Sequence, residues 1–168
     1  MGERAAGGFT LLEVLISMVL LAVAGTALVA AFGASGQLGV LARRQATSVA
    51  LARSLAAQLA LADYGDARIA NSNPANDASF TDAAALFARA TLPTGADAPD
   101  ATLPVIDAAG ESYQVYVNVK LDLDAAGVEQ GRDFAVIVRY KVGTVWARAV
   151  VHGYRYNPSS IGVSGMPM

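Results

Sequence analysis

The stretch Gly8-Phe9-Thr10-Leu11-Leu12-Glu13-Val14-Leu15-Ile16 sets a single carboxylate into the head of an apolar run. After Glu13 the next charged residue is Arg43, so Val14 to Ala42 supplies 29 uncharged residues, whereas about 20 helical residues cross the hydrocarbon core of a bilayer. The segment is therefore expected to insert in a membrane. An ionisable side chain in such a segment is costly to desolvate, so Glu13 signals a function and a partner of opposite charge.

The rest of the composition suits one globular domain joined to one long membrane element: 168 residues, 54% hydrophobic and 15% charged. A formal charge of −2 argues against a general polyanion binder. Charge is unevenly spread, with eight acids from Asp63 to Glu111 against Arg68 and Arg89, and most of the remaining bases beyond Ser112. The absence of cysteine excludes a disulfide framework, thiolate catalysis and cysteine-type zinc sites. The first eight residues are short and polar, and the small pair Gly7-Gly8 precedes the apolar run instead of following it. Cleavage there leaves the apolar segment on the mature chain, unlike an ordinary secretory signal.

Gly8-Phe9-Thr10-Leu11-Leu12-Glu13 resembles the class III signal of type IV pilins and type II secretion pseudopilins. The resemblance implies that a prepilin peptidase cuts after Gly8 and methylates the new amine of Phe9, and that Glu13 holds the position of the family's acid. It also implies an inner-membrane anchor with a cytoplasmic leader and a periplasmic domain, later found in a pilus or pseudopilus at the cell surface. The expected partners are other pilin subunits through the N-terminal helix, the peptidase and the inner-membrane assembly platform. Physical chemistry agrees with the assignment to Glu13. In a helix Phe9 and Glu13 are i and i+4, on one face near the start, where the helix dipole favours an acid. The Phe9 amine of one subunit and Glu13 of another then neutralise each other among apolar helices. Misregister leaves a charge buried and unpaired, at a cost of about 3–5 kcal/mol.

From Phe9 to Ala62 no proline intervenes, and one helix of about 9–62 is expected. Its second half carries an apolar stripe, Leu41, Val49, Ala52, Leu55, Ala56 and Leu59, to receive a sheet. Gly25, Gly33, Gly36 and Gly39 lie mid-helix, where they permit bending, local unwinding or close helix packing. Many major pilins carry a proline at this depth; Ala30 stands here. Region 63–111 reads as a connecting loop and a surface for partners, with a short helix at about 82–90, capped by Thr81 and docked by Leu86 and Phe87.

Beyond Glu111 the period becomes two. Tyr113, Val115, Val117, Val119 and Leu121 alternate with Gln114, Tyr116, Asn118 and Lys120, and Phe134, Val136, Val138 and Tyr140 alternate with Ala135, Ile137, Arg139 and Lys141. A third strand follows at about 145–156, after a tight hairpin at Val142-Gly143-Thr144. The expectation is an α+β, pilin-like fold. A leader spans 1–8, a membrane and filament-core helix half 9–40, and a globular domain 41–168, whose sheet of three to four antiparallel strands (about 112–156) covers the helix stripe.

Candidate chemistry is sparse. Asp122, Asp124 and Asp133 occupy relative positions 1, 3 and 12 of a calcium-type loop with Gly127 at position 6, but the acid or amide at position 5 is missing and the loop joins strands. Lys120, Arg139, Lys141 and Arg148 take the parity assigned outward, near Tyr116, Trp146 and Tyr154, a basic and aromatic surface of the kind that binds nucleic acid. Single bases on a sheet edge are also ordinary protection against aggregation, and nucleic acid is not an expected partner. His152 is the only histidine and lacks any Gly-x-Ser-x-Gly elbow. Neither a cofactor nor a resident metal is expected, and the protein is not expected to be an enzyme. The sequence reads as a structural subunit of a type IV pilus, a minor pilin on the missing proline and on Leu11-Leu12-Glu13-Val14-Leu15. A minor pseudopilin of type II secretion, a minor pilin of DNA uptake and a membrane-anchored binding domain that never polymerises are the alternatives.

Overall fold

Helix α1 runs unbroken over Leu11–Leu61 in the computed structural model, which describes residues 10–108 and 110–160. Thr10 starts it: the Glu13 N–H donates to both the Thr10 carbonyl and its Oγ1, at 3.0 and 3.3 Å. The described chain divides into two units between Leu41 and Ala42.

In the second unit a four-stranded antiparallel meander follows chain order, β1 (Ala101–Ala108), β2 (Glu111–Leu123), β3 (Glu129–Val142) and β4 (Val145–Tyr156). Val142 pairs with Val145, so the hairpin turn holds two residues, and Gly143 supplies the positive φ of 59° that this turn requires. One sheet face presents Tyr113, Val115, Val117, Val119, Phe134, Val136 and Val138 to Ala52, Ala56 and Leu59 of α1. Ser48 joins this helix stripe, fully buried, with its hydroxyl returned to the Gln45 carbonyl at 2.8 Å. Leu41 of the expected stripe is exposed.

Two expectations need correction. The connecting region ends earlier than 111, because Ala101–Ala108 is a strand. Pro104 hid it, since proline disqualifies a central strand; β1 lies at the sheet edge and its register shifts between Leu103 and Ile106, where a missing N–H is tolerated. The second sheet face is also not outward. Residues 74–87 fold back across it as a 3-10 segment, Pro74–Asp82, and a single turn α2, Ala83–Leu86. Phe80, Leu86 and Phe87 pack there on Tyr116, Ala135 and Ile137. The docking roles expected of Leu86 and Phe87 hold, although the α-helical part is shorter than 82–90.

Asp100 fastens this cover. Its carboxylate accepts from the Asn73 N–H at 2.7 Å, from Asn76 Nδ2 at 2.9 Å and from the Val119 N–H at 2.8 Å, linking segment to sheet. Beneath the cover Arg139 is 1% exposed and has no carboxylate partner among the described residues. Its guanidinium donates to the Arg89 carbonyl at 2.6 Å and lies 4.4 Å from the centre of the Trp146 ring.

At the opposite end of the sheet Arg132 ties the exit of α1 to β3. It donates to the carbonyls of Tyr64 and Ile69 and to the Glu129 carboxylate at 2.7 Å, with the Tyr64 ring against its guanidinium. Burial, then the hydrogen bond to Glu129, pushes the Tyr64 hydroxyl up to about 12. Burial raises Glu129, but the hydrogen bonds from Tyr64 and Arg132 outweigh it and hold the carboxyl below its ordinary value. After β4 the Asn157 N–H donates to the Gln130 carbonyl and its Nδ2 to the Glu129 carbonyl, closing the strand on its neighbour.

Phe87→Ala is expected to lower the domain's stability by about 3–5 kcal/mol in denaturant unfolding, because a fully buried ring leaves a cavity under the cover. The contribution of Glu129 has a defined sign with pH. A depressed folded pKa stabilises fully above its ordinary value of 4.5 and is lost as pH falls through the lower folded value. Melting curves of Glu129→Gln should therefore lie below the parent at neutral pH, by about 1 kcal/mol, and converge on it in acid.

Candidate functional site

The feature that dominates the first unit is apolar surface. Every residue from Thr10 to Arg43 is exposed, including Leu11, Leu21, Val29 and Phe32, which show 82, 75, 72 and 69% of their area. This stretch of α1 is long and apolar enough to cross a membrane. Two of its hydroxyls are turned back on the helix: Ser17 donates to the Glu13 carbonyl at 2.7 Å and Thr26 to the Val23 carbonyl at 2.9 Å. The helical backbone satisfies its own donors, as lipid requires, and these two side chains do the same.

Glu13 sits in the first turn of α1, and its carboxylate has no hydrogen-bond or ionic partner among the described residues. Gly8 and Phe9, the expected cleavage and methylation positions, lie outside those residues. Thr10 adds a helix-capping residue to those named from the sequence. Thr10-Leu11-Leu12-Glu13 is a capping-box pattern, and the bond from the Glu13 N–H to Thr10 Oγ1 is its first half. The signal was present in the motif itself. The four glycines of α1 have nothing within 4 Å of where a Cβ would stand, and the helix runs through all of them without unwinding. Their smallness serves no contact among the described residues.

The other candidate residues separate. Asp124 closes its own loop: Oδ1 accepts from the N–H groups of Ala126 and Val128, both at 2.8 Å, and Oδ2 accepts from Gln130 at 2.9 Å. Those bonds, with the Val128 N–H foremost, hold its carboxyl below the usual range. Asp122 accepts from the Tyr154 hydroxyl at 2.8 Å, and Asp133 stands opposite Lys120 on β2. Among the described residues no three His, Cys, Asp or Glu side chains converge on a metal position. The basic and aromatic set divides too. Arg139 and Tyr116 are buried, and Lys120 and Tyr154 meet at Asp133, eight residues along β3 from Lys141 and Trp146. That is about 27 Å of strand, so they form no continuous groove. His152 is exposed on β4 with its ring edge-on to Phe80 at 5.5 Å. Since Asp124 is already engaged by its own loop and the three acids do not converge, millimolar calcium is expected to leave the domain's melting temperature where chelator leaves it; a rise of several degrees restores the loop as a metal site.

Residues 4–29 match the family described as the prokaryotic N-terminal methylation motif. No curated protein and no solved structure matches the chain. The matched segment contains Gly8, Phe9 and Glu13 and the start of α1, and the motif implies processing by prepilin peptidase and pilin-type assembly. The apolar helix behind such a motif fits a single-pass inner-membrane anchor. The chain thus carries a type IV prepilin-type methylation motif at its head, on an α+β, pilin-like fold in which a long helix packs on an antiparallel sheet.

Proposed function

We propose that this protein is a minor pilin, a structural subunit that waits in the inner membrane and enters a type IV filament through the first half of α1. The observation that carries the reading is an apolar helix surface, exposed from Thr10 to Arg43, headed by a methylation motif and holding Glu13 as its only charge before Arg43. Lipid covers that surface before assembly, and neighbouring helices cover it afterwards. Transfer between the two costs little, because both environments are apolar. Glu13, without a partner among the described residues, then supplies what apolar packing lacks, a register mark. Pairing with the methylated Phe9 amine of an adjacent subunit fixes the axial stagger, and head-to-tail repetition of such a contact gives an open helical array. The space beside Gly25, Gly33, Gly36 and Gly39 admits close approach of neighbouring helices.

Work of this kind is assembly rather than catalysis. The lone histidine packs edge-on against Phe80, and the chain has no cysteine nucleophile. The uninterrupted course of α1 past Ala30 supports the minor role. A minor pseudopilin of type II secretion shares anchor, peptidase and fold, and differs in the system that assembles it.

Glu13→Gln is expected to leave processing and membrane level unchanged while cutting recovery in sheared filaments at least tenfold, as loss of a buried ion pair predicts. Equal recovery of variant and parent rejects the pairing. Gly8→Asp is expected to accumulate the uncleaved form and to abolish incorporation, read by the mass of the N-terminal peptide.

A further inference from the structure

The β3–β4 hairpin stands beside the point where α1 enters the second unit. Arg44 forms an ion pair with Glu111, and its Nη1 donates to the Lys141 carbonyl at 3.4 Å. Arg43 and Arg44 are also the first charges after the 29 uncharged residues from Val14 to Ala42. At 1.5 Å per residue that span rises about 43 Å, against about 40–45 Å for a bilayer with its headgroups. The two arginines therefore emerge at headgroup level, and Arg44 holds the hairpin there.

The hairpin is built for such a surface. Lys141 and Arg148 are exposed, Val145 shows 65% of its area at the turn, and Trp146 follows, cross-strand from Lys141 and stacked on Arg139. The acids at this end are Glu111, already paired with Arg44, and Asp107, which accepts from the Ser112 hydroxyl. The far end of the sheet, where Tyr64 meets Glu129, mixes both signs, Asp122, Asp124, Glu129 and Asp133 beside Lys120, Arg132 and Arg155. Exposed bases without a competing free acid are thus a property of the hairpin end. We infer that the β3–β4 hairpin docks on anionic lipid headgroups at the surface where α1 leaves the bilayer. Trp146 and Val145 enter the interface and Lys141 and Arg148 meet lipid phosphates, an arrangement favoured for tryptophan and for juxtamembrane bases alike. Docking holds the unassembled subunit in one orientation, and extraction into a filament releases it.

The inference rests on the membrane anchor and is independent of the filament role. Trp146 is the only tryptophan and the chain has no cysteine, so Thr144→Cys places a single fluorescent label on the hairpin turn. The full chain is reconstituted in vesicles containing phosphatidylglycerol or phosphatidylcholine alone, each doped with lipid spin-labelled at the headgroup. Quenching of Trp146 and of the label is expected in phosphatidylglycerol, weaker in phosphatidylcholine and reversed by high salt. Lys141→Gln and Arg148→Gln alter exposed side chains, and an unchanged circular dichroism spectrum verifies their fold. Each is expected to lower the ratio of docked to free hairpin about fivefold. Equal quenching in both lipids, or none, in a chain that resists carbonate extraction overturns the docking alone. A chain that carbonate strips from the vesicles overturns the anchor and the docking together.

Discussion

The structure depends on an apolar helix surface that its own chain leaves uncovered. From Thr10 to Arg43 no side chain of α1 is buried, and water is the one surrounding such a surface cannot accept. Everything else is organised around that requirement. The backbone of the segment is satisfied within the helix, as are the Ser17 and Thr26 hydroxyls, the four glycines keep its sides open, and a single acid marks its head. Only past Ala42 does α1 bury residues on a partner of its own, through Ser48, Ala52, Ala56 and Leu59.

The domain beyond solves a different problem, a small sheet that needs both faces covered. α1 takes one face and residues 74–87 take the other. The second cover is held as much by polar bonds as by apolar area. Asp100 gathers N–H donors from the segment and from β2 at once, and Asn73 donates to the Ala98 carbonyl at 2.9 Å. One cost is Arg139, a cation brought under the cover with a carbonyl and an indole ring for company. Burial lowers its pKa, so the charge is retained against a desolvation penalty that the Trp146 stacking partly offsets.

How much of this was legible varied with the kind of signal. Period and punctuation gave α1, the two-residue turn at Gly143-Thr144 and the parity that sends Val115, Val117, Val136 and Val138 to the helix. The acid in an apolar run gave the functional segment, because a carboxylate amid hydrocarbon is too costly to keep without work to do. β1 escaped because Pro104 argues against a strand unless the edge position is known, and edge position is a property of the whole sheet. The burial of the second face escaped because Gln114, Asn118 and Arg139 alternate there as solvent-facing residues do. Tyr116, Ala135 and Ile137 on the same parity, with Phe80, Leu86 and Phe87 stranded in a polar region, were the countersignal. Long-range pairing of that kind is invisible to any window along the chain.

Closure of β4 at Asn157 relies on hydrogen bonds to the Gln130 and Glu129 carbonyls, where no thiol is available to do it covalently. Folding of this domain is therefore indifferent to oxidants and reductants, and no oxidase or isomerase has to act before it is competent.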